Sequence, residues 1–168
     1  MSPARVGLGF DVHPFGNGGV LVLGGVELEG PALSGHSDAD AVAHAVADAL
    51  LGAAGLPDLG ALFPATDDRY RDASSIGLLR DVAGRVAAAG WRLGNVDVVV
   101  AAERPPLAPH VRGMAGNLSR ALIALFPEPG AQNLVSVKPK RGEGLGAIER
   151  SEGIAVWAVA LLDSVENG

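Results

Sequence analysis

The chain has 168 residues, of which 48% are hydrophobic and 19% charged, with 24 glycines, no cysteine and a formal net charge of −6. That length supports one well-filled core and leaves little for a second, so residues 1–168 read as a single domain. Lack of cysteine removes disulfide scaffolds and thiolate zinc sites. The apolar content is too high for a disordered chain, and no run approaches the ~18 uncharged apolar residues of a membrane span. An acidic surface disfavours nucleic acid and anionic membrane as partners. The start, Met1 to Val6, lacks the basic-then-apolar layout of a secretory signal, so the cytoplasm is the expected compartment.

In chain order, Arg5 to His13 alternates and is rich in small and apolar residues, which predicts a strand. A turn at Gly16 to Gly19 leads to a second strand over Val20 to Leu28. Ser37, Asp38 and Asp40 offer helix caps and acidic first-turn residues before an Ala/Val/Leu-rich helix that reaches about Ala54. Gly55, Pro57 and Gly60 open a loop to Asp72, and a second helix follows from Ala73 to Ala89, closed by Gly90. Asn95 to Ala102 is a β-branched strand ended by Pro105-Pro106. A third helix spans about Pro109 to Phe126 and stops at Pro127 and Pro129. Leu134 to Lys138 and Gly153 to Leu162 complete the strands. The order predicts an α+β fold, with helices packed on one side of a mixed or antiparallel sheet.

Asp11 and His13 lie two apart on a strand, so their side chains leave the same face. His44 falls mid-helix, four residues from Asp40 and from Asp48, along one stripe. One carboxylate and two imidazoles with an open fourth position suit a catalytic zinc, whose vacant corner would polarise a phosphoryl or carbonyl oxygen. The same residues also suit a hydrogen-bonded strand end beside a packed helical histidine. Asp58, Asp67, Asp68 and Asp72 crowd one loop, as hydroxyl contacts, second-metal ligands or solvated acids. Lys138, Lys140 and Arg141 on a Gly-rich turn suit a phosphate cradle or a solvated basic turn.

Several segments together resemble the 2-C-methyl-D-erythritol 2,4-cyclodiphosphate synthase family of the non-mevalonate isoprenoid pathway. They are Gly9-Phe10-Asp11-Val12-His13, the block from His36-Ser37-Asp38-Ala39-Asp40 through His44 and Asp48 to Ala54, Pro57-Asp58-Leu59-Gly60, Leu62-Phe63-Pro64, Gly94-Asn95-Val96-Asp97, Glu143-Gly144-Leu145-Gly146 and Arg150-Ser151-Glu152-Gly153. The likeness spans essentially the whole chain. It implies an α+β homotrimer with active sites between neighbouring subunits. The implied enzyme is a metal-dependent cyclase, a phosphorus–oxygen lyase. In its reaction the 2-phosphate of 4-diphosphocytidyl-2-C-methyl-D-erythritol 2-phosphate attacks its own β-phosphorus, CMP leaves and the cyclodiphosphate closes.

By the same resemblance, Asp11, His13 and His44 hold zinc or another divalent transition metal, and Glu143 holds Mg²⁺ or Mn²⁺ at a second site. His36 and Ser37 contact the substrate phosphates and orient the nucleophile. Asp58, Leu59, Gly60 and the loop from Phe63 to Asp67 grip the methylerythritol hydroxyls. Ala102, Pro106 and Leu107 surround the cytosine, and Ala147 and Arg150 complete the substrate contacts. Phe10, Arg150 and Glu152 match the lining of an axial cavity that accepts isoprenoid diphosphates, or Arg150 and Glu152 form an intersubunit ion-pair ring.

The chain departs from the family pattern where a threonine run is replaced by Lys140-Arg141-Gly142. Arg141 or Lys140 would there act on the diphosphate by charge, which makes Arg141 a catalytic candidate beside His36. Pro106 stands in place of a lysine, Ala65 in place of an aspartate and Ala39 in place of a glycine. Two divalent cations would let an acidic protein hold a polyphosphate, and phosphoryl transfer asks the protein mainly for positioning and charge neutralisation. Two other readings stand beside the cyclase. One is a catalytically weakened trimer that binds zinc and isoprenoid diphosphates, and the other is a zinc phosphohydrolase with an open-chain product.

Overall fold

The computed structural model describes residues 4–126 and 133–165; the expected helix stop at Pro127 and Pro129 lies outside them. The first strand, β1, runs Ala4–Pro14. Its odd-numbered Gly7, Gly9, Asp11 and His13 face the helices, while Val6, Leu8, Phe10 and Val12 stay exposed on the other side. The expected single strand over Val20 to Leu28 is instead a hairpin, β2 (Leu21–Leu23) and β3 (Val26–Leu28). Gly24 and Gly25 fold it back, at φ 56° and 67°, a left-handed pair that glycine adopts without steric cost.

Helix α1 (Ala41–Ala54) is capped at its start by Asp40 and ended by Gly55 at φ 72°. It is buried almost all round, lying on the sheet with the helix over Ser75–Ala88 on its other flank. A short turn of helix, α2 (Leu59–Leu62), interrupts the expected loop, with Asp58 as its cap. Helix α3 (Ser75–Ala88) begins at the Ser74 cap. Strand β4 (Trp91–Ala101) begins earlier than expected, since pairing with the last strand carries it through a bulge at Leu93/Asn95. The third expected helix is broken into α4 (Val111–Ala121) between 3₁₀ turns at Ala108–His110 and Ile123–Leu125. Strand β5 (Val135–Lys140), the unexpected short helix α5 (Gly146–Glu149) and strand β6 (Gly153–Ser164) finish the chain.

The main sheet has the order β1-β6-β4-β5, antiparallel except for the parallel β4–β5 pair. This is a mixed sheet in an α+β fold, with one core between the sheet and the helical layer. Ile154, Val156, Ala158, Ala160 and Leu162 of β6 fill it with Val96, Val98 and Val100 of β4. A Cβ on Gly7 would lie 1.9 Å from the Ala49 carbonyl oxygen, and one on Gly9 would lie 1.8 Å from that of Ala45. Helix α1 therefore rests on β1 backbone to backbone, and this contact sets the distance across which His44 meets Asp11. No helix of the described residues is long and apolar enough to cross a membrane.

Candidate active site

The carboxyl end of β1 and the first turn of α1 converge, His44 lying near the start of the helix and not mid-helix as expected. Asp11 Oδ2 lies 3.0 Å from His13 Nε2 and 3.1 Å from His44 Nδ1, and one donor atom from each of the three falls within 4.8 Å of the others. The far nitrogen of each ring is engaged. His13 Nδ1 donates to the Ser34 carbonyl oxygen at 2.6 Å, because a carbonyl can only accept. His44 Nε2 lies 2.9 Å from Ser75 Oγ and 3.2 Å from Ser37 Oγ. The Ser75 hydroxyl proton is given to Asp38 Oδ1, so toward His44 that oxygen accepts.

The Ser34 contact puts a proton on His13 Nδ1, and the Ser75 contact favours one on His44 Nε2. The lone pairs of His13 Nε2 and His44 Nδ1 are then left facing one carboxylate oxygen. Two imidazole lone pairs within hydrogen-bond range of one carboxylate oxygen repel it unless a cation lies among them. The donor set thus fits a divalent metal, with its outer hydrogen bonds already in place. Burial raises the Asp11 carboxyl, but hydrogen bonds and charge from His13 and His44 outweigh it and hold the group well below the usual carboxylate range. The Asp11 hydrogen bond pushes the His13 imidazole up, against desolvation. In solution a proton competes for the same position.

A cavity of about 340 Å³ opens beside the cluster, lined by Asp11, His13, His36, Ser37, His44 and Asp48 with Leu59, Gly60, Phe63, Ala65 and Tyr70. His36 Nε2 is buried there and has no hydrogen-bond partner among the described residues. Asp48 accepts from the Leu59 N–H at 2.8 Å, and burial pushes its carboxyl up. Asp58 spends one oxygen on the Ala61 N–H as a cap, and Asp67 binds the Arg69 guanidinium. Phe63 packs edge-on against Tyr70 with centroids 5.2 Å apart.

A larger cavity of about 790 Å³ gathers Ala102, Pro106, Leu107, Lys140 and Arg141 with Glu29, Glu103 and Pro105. Arg141 is ion-paired to Glu103, whose other oxygen accepts from the Gly142 N–H at 3.3 Å. Glu143 lines a separate small cavity with Glu103, Arg141, Gly144 and Glu149, away from the Asp11 cluster. Arg150 follows the short helix that carries Ala147 and pairs with Glu152. Phe10 lies on the open face of the sheet, 5.2 Å from Trp157. Sequence reasoning missed Ser75 and Ser34, which have no motif of their own, and Glu103, which reads as a loop acid. It also put Asp40 on the His44 stripe, whereas the Asp40 carboxylate is turned into the helix end and buried.

Residues 4–163 match the YgbB family. A bifunctional enzyme IspD/IspF of Anaeromyxobacter sp. is 53% identical over 161 residues, 96% of this chain and 40% of the relative, so the chain spans less than half of that protein. A 2-C-methyl-D-erythritol 2,4-cyclodiphosphate synthase of Bordetella avium is 49% identical over 161 residues, 95% of this chain and 96% of the relative. The solved structure of IspF from Plasmodium falciparum in complex with CDP has a TM-score of 0.81 at 30% identity, covering 99% of each chain.

Proposed function

This chain belongs to the YgbB family, and on that premise we propose that it converts 4-diphosphocytidyl-2-C-methyl-D-erythritol 2-phosphate to 2-C-methyl-D-erythritol 2,4-cyclodiphosphate and CMP. The observation that carries the reading is the convergence of Asp11, His13 and His44 on one point, in a chain about half identical to full-length synthases of that name. A weakened trimer that only binds is not favoured by those relatives.

The whole of 1–168 acts as one cyclase domain. Asp11, His13 and His44 hold the first cation, and imidazole with carboxylate suits zinc or a similar transition metal. When bound, such a cation supplies Lewis-acid polarisation of a phosphoryl oxygen. Glu143 serves a second site for Mg²⁺ or Mn²⁺. His36 donates to a substrate phosphate and Ser37 helps orient it; the unpartnered Nε2 of His36 in the cavity supports this. Leu59, Gly60 and Phe63, with Asp58 and Asp67 beside them, bind the methylerythritol.

Ala102, Pro106 and Leu107 enclose the cytidine, supported by the apolar cavity they share and by the CDP bound to the Plasmodium falciparum relative. Lys140 and Arg141 line the same cavity and act on the diphosphate by charge, and Ala147 and Arg150 add further substrate contacts. The nucleophile is a phosphate oxygen already ionised at neutral pH. The residues therefore have to hold it in line and neutralise charge, with no proton to remove first.

The active form is a homotrimer in the cytoplasm. The exposed apolar sheet face supports association, and Phe10, Arg150 and Glu152 line an axial space that admits an isoprenoid diphosphate. The test is CMP release with formation of the cyclic product. His44→Ala is expected to slow both by about 10²-fold or more, the scale of one lost electrostatic contact to a transition state. Equal turnover by the two proteins would defeat the assignment, and an open-chain product would make the enzyme a phosphohydrolase.

A further inference from the structure

We propose that Asp38, acting through Ser75, is the positioning residue that fixes His44 with its proton on Nε2 and its Nδ1 lone pair turned to the metal position. The inference rests on reading Asp11, His13 and His44 as a metal site. Asp38 is held on three sides. Its Oδ2 accepts from the Ser75 N–H at 3.0 Å, its Oδ1 accepts the Ser75 hydroxyl, and the Asp40 N–H donates to Oδ1 at 3.3 Å. Ser75 is the first residue of α3 and is 1% exposed, so no solvent competes for its hydroxyl.

The direction of the chain follows from the inventory of donors. A carboxylate has none, so the single proton of Ser75 Oγ points to Asp38, and Ser75 Oγ accepts from His44 Nε2 at 2.9 Å. Ser37 Oγ, 3.2 Å from both His44 Nε2 and Ser75 Oγ, has its own proton and does not fix the direction. Asp11 acts the other way, since its carboxylate would draw a proton onto His44 Nδ1. Asp38 thus decides between two tautomers, of which one presents a ligand lone pair to Asp11 and the other a proton. An outer carboxylate that fixes a ligating histidine in this manner contributes roughly 10- to 100-fold to metal affinity.

Asp38→Asn is the discriminating variant, because it is isosteric. The Ser75 N–H holds the asparagine oxygen at the Oδ2 position, the NH₂ takes the Oδ1 position and donates to Ser75 Oγ at the cost of the long Asp40 N–H contact, and the Ser75 proton is turned toward His44 Nε2. Zinc affinity, measured by competition with a fluorescent chelator, is expected to fall about 10- to 100-fold in Asp38→Asn and in Ser75→Ala, with both apo variants keeping the folded circular dichroism spectrum of the unmutated protein. Imidazole ¹⁵N shifts of the zinc-loaded, unmutated protein are expected to show His44 protonated at Nε2 and ligated through Nδ1. Variants that bind zinc within about twofold of the unmutated protein would overturn the relay alone, as would His44 ligation through Nε2. An unmutated protein that takes up no zinc would overturn the metal site and the relay together.

Discussion

Asp40 shows how much one side chain can organise. Its Oδ1 accepts from the Gly24, Val42 and Ala43 N–H groups, and its Oδ2 from the Gly25 N–H, with no exposed surface. It caps α1 and pins the β2–β3 turn to that cap in the same stroke. Burial pushes the Asp40 carboxyl up, and the N–H donors pull against it. Asp40→Asn keeps an oxygen for three donors and sets an NH₂ against the Gly25 N–H, so it should cost about 1–3 kcal/mol. Asp40→Ala strands all four donors and should cost more, both read from denaturant midpoints; an Asn variant as stable as the unmutated protein would refute the argument. The neighbouring Ala39 takes φ 54°, a left-handed value that a glycine would adopt without steric cost.

Between elements, the decisive contact is α1 on β1. Gly9→Ala would drive a Cβ into the Ala45 carbonyl, and relief requires α1 to lift from β1, carrying His44 away from Asp11 and His13. Loss of zinc affinity together with a lower melting temperature is the expected result, whereas Gly84→Ala, with open space around it in α3, should stabilise by about 0.5–1 kcal/mol. A Gly9→Ala protein with unchanged zinc affinity would break this link between packing and site. At the sheet edge, Asp97 binds Lys138 and Ser136 across the parallel β4–β5 pair. Their hydrogen bonds, Lys138 first, lower the Asp97 carboxyl from 3.8, against slight desolvation. A depressed folded value stabilises above 3.8 and loses that contribution as pH falls through it. Asp97→Asn should therefore cost under about 1 kcal/mol at pH 7, given its partial exposure. In acid below the depressed value it should cost nothing, as urea midpoints at the two pH values would show.

Strands β1, β4 and β6, helices α1 and α3, and the shared face of Asp11 and His13 were legible because alternation, small-residue helix composition and i, i+2 spacing act locally; His44, which meets Asp11 from 33 positions away, was assigned to their set through the resemblance of the whole block. The β2–β3 turn was missed because Gly24-Gly25 lies inside an apolar run that continues on both sides. Helix α4 was drawn too long because apolar residues persist through the 3₁₀ turn at Ile123–Leu125. The Ser75 contact was illegible for another reason: it joins residues 31 positions apart and leaves no local pattern.

For the whole molecule, the open side of the sheet is the unbalanced feature. Val6, Leu8, Phe10 and Val12 of β1 lie beside Trp157 and Val159 of β6, with Phe10 50% and Trp157 41% exposed. Contiguous apolar patches of this kind are rarely left to water by a monomer. Asp11 and His13 point from the same strand into the opposite face, so the strand presents one set of side chains to the open face and the other to the candidate metal cluster. This separation gives a discriminating prediction. Leu8→Asp places a charge on the open face without touching the cluster, and if that face carries the proposed homotrimer, light scattering should report a drop from trimer to monomer mass. Zinc affinity should survive, because Asp11, His13 and His44 come from one chain. Cyclase activity should be lost, because the proposed substrate site lies between subunits. A monomeric variant that still turns over at the unmutated rate would refute the shared site, and a variant that keeps its trimer mass would move the interface to another face.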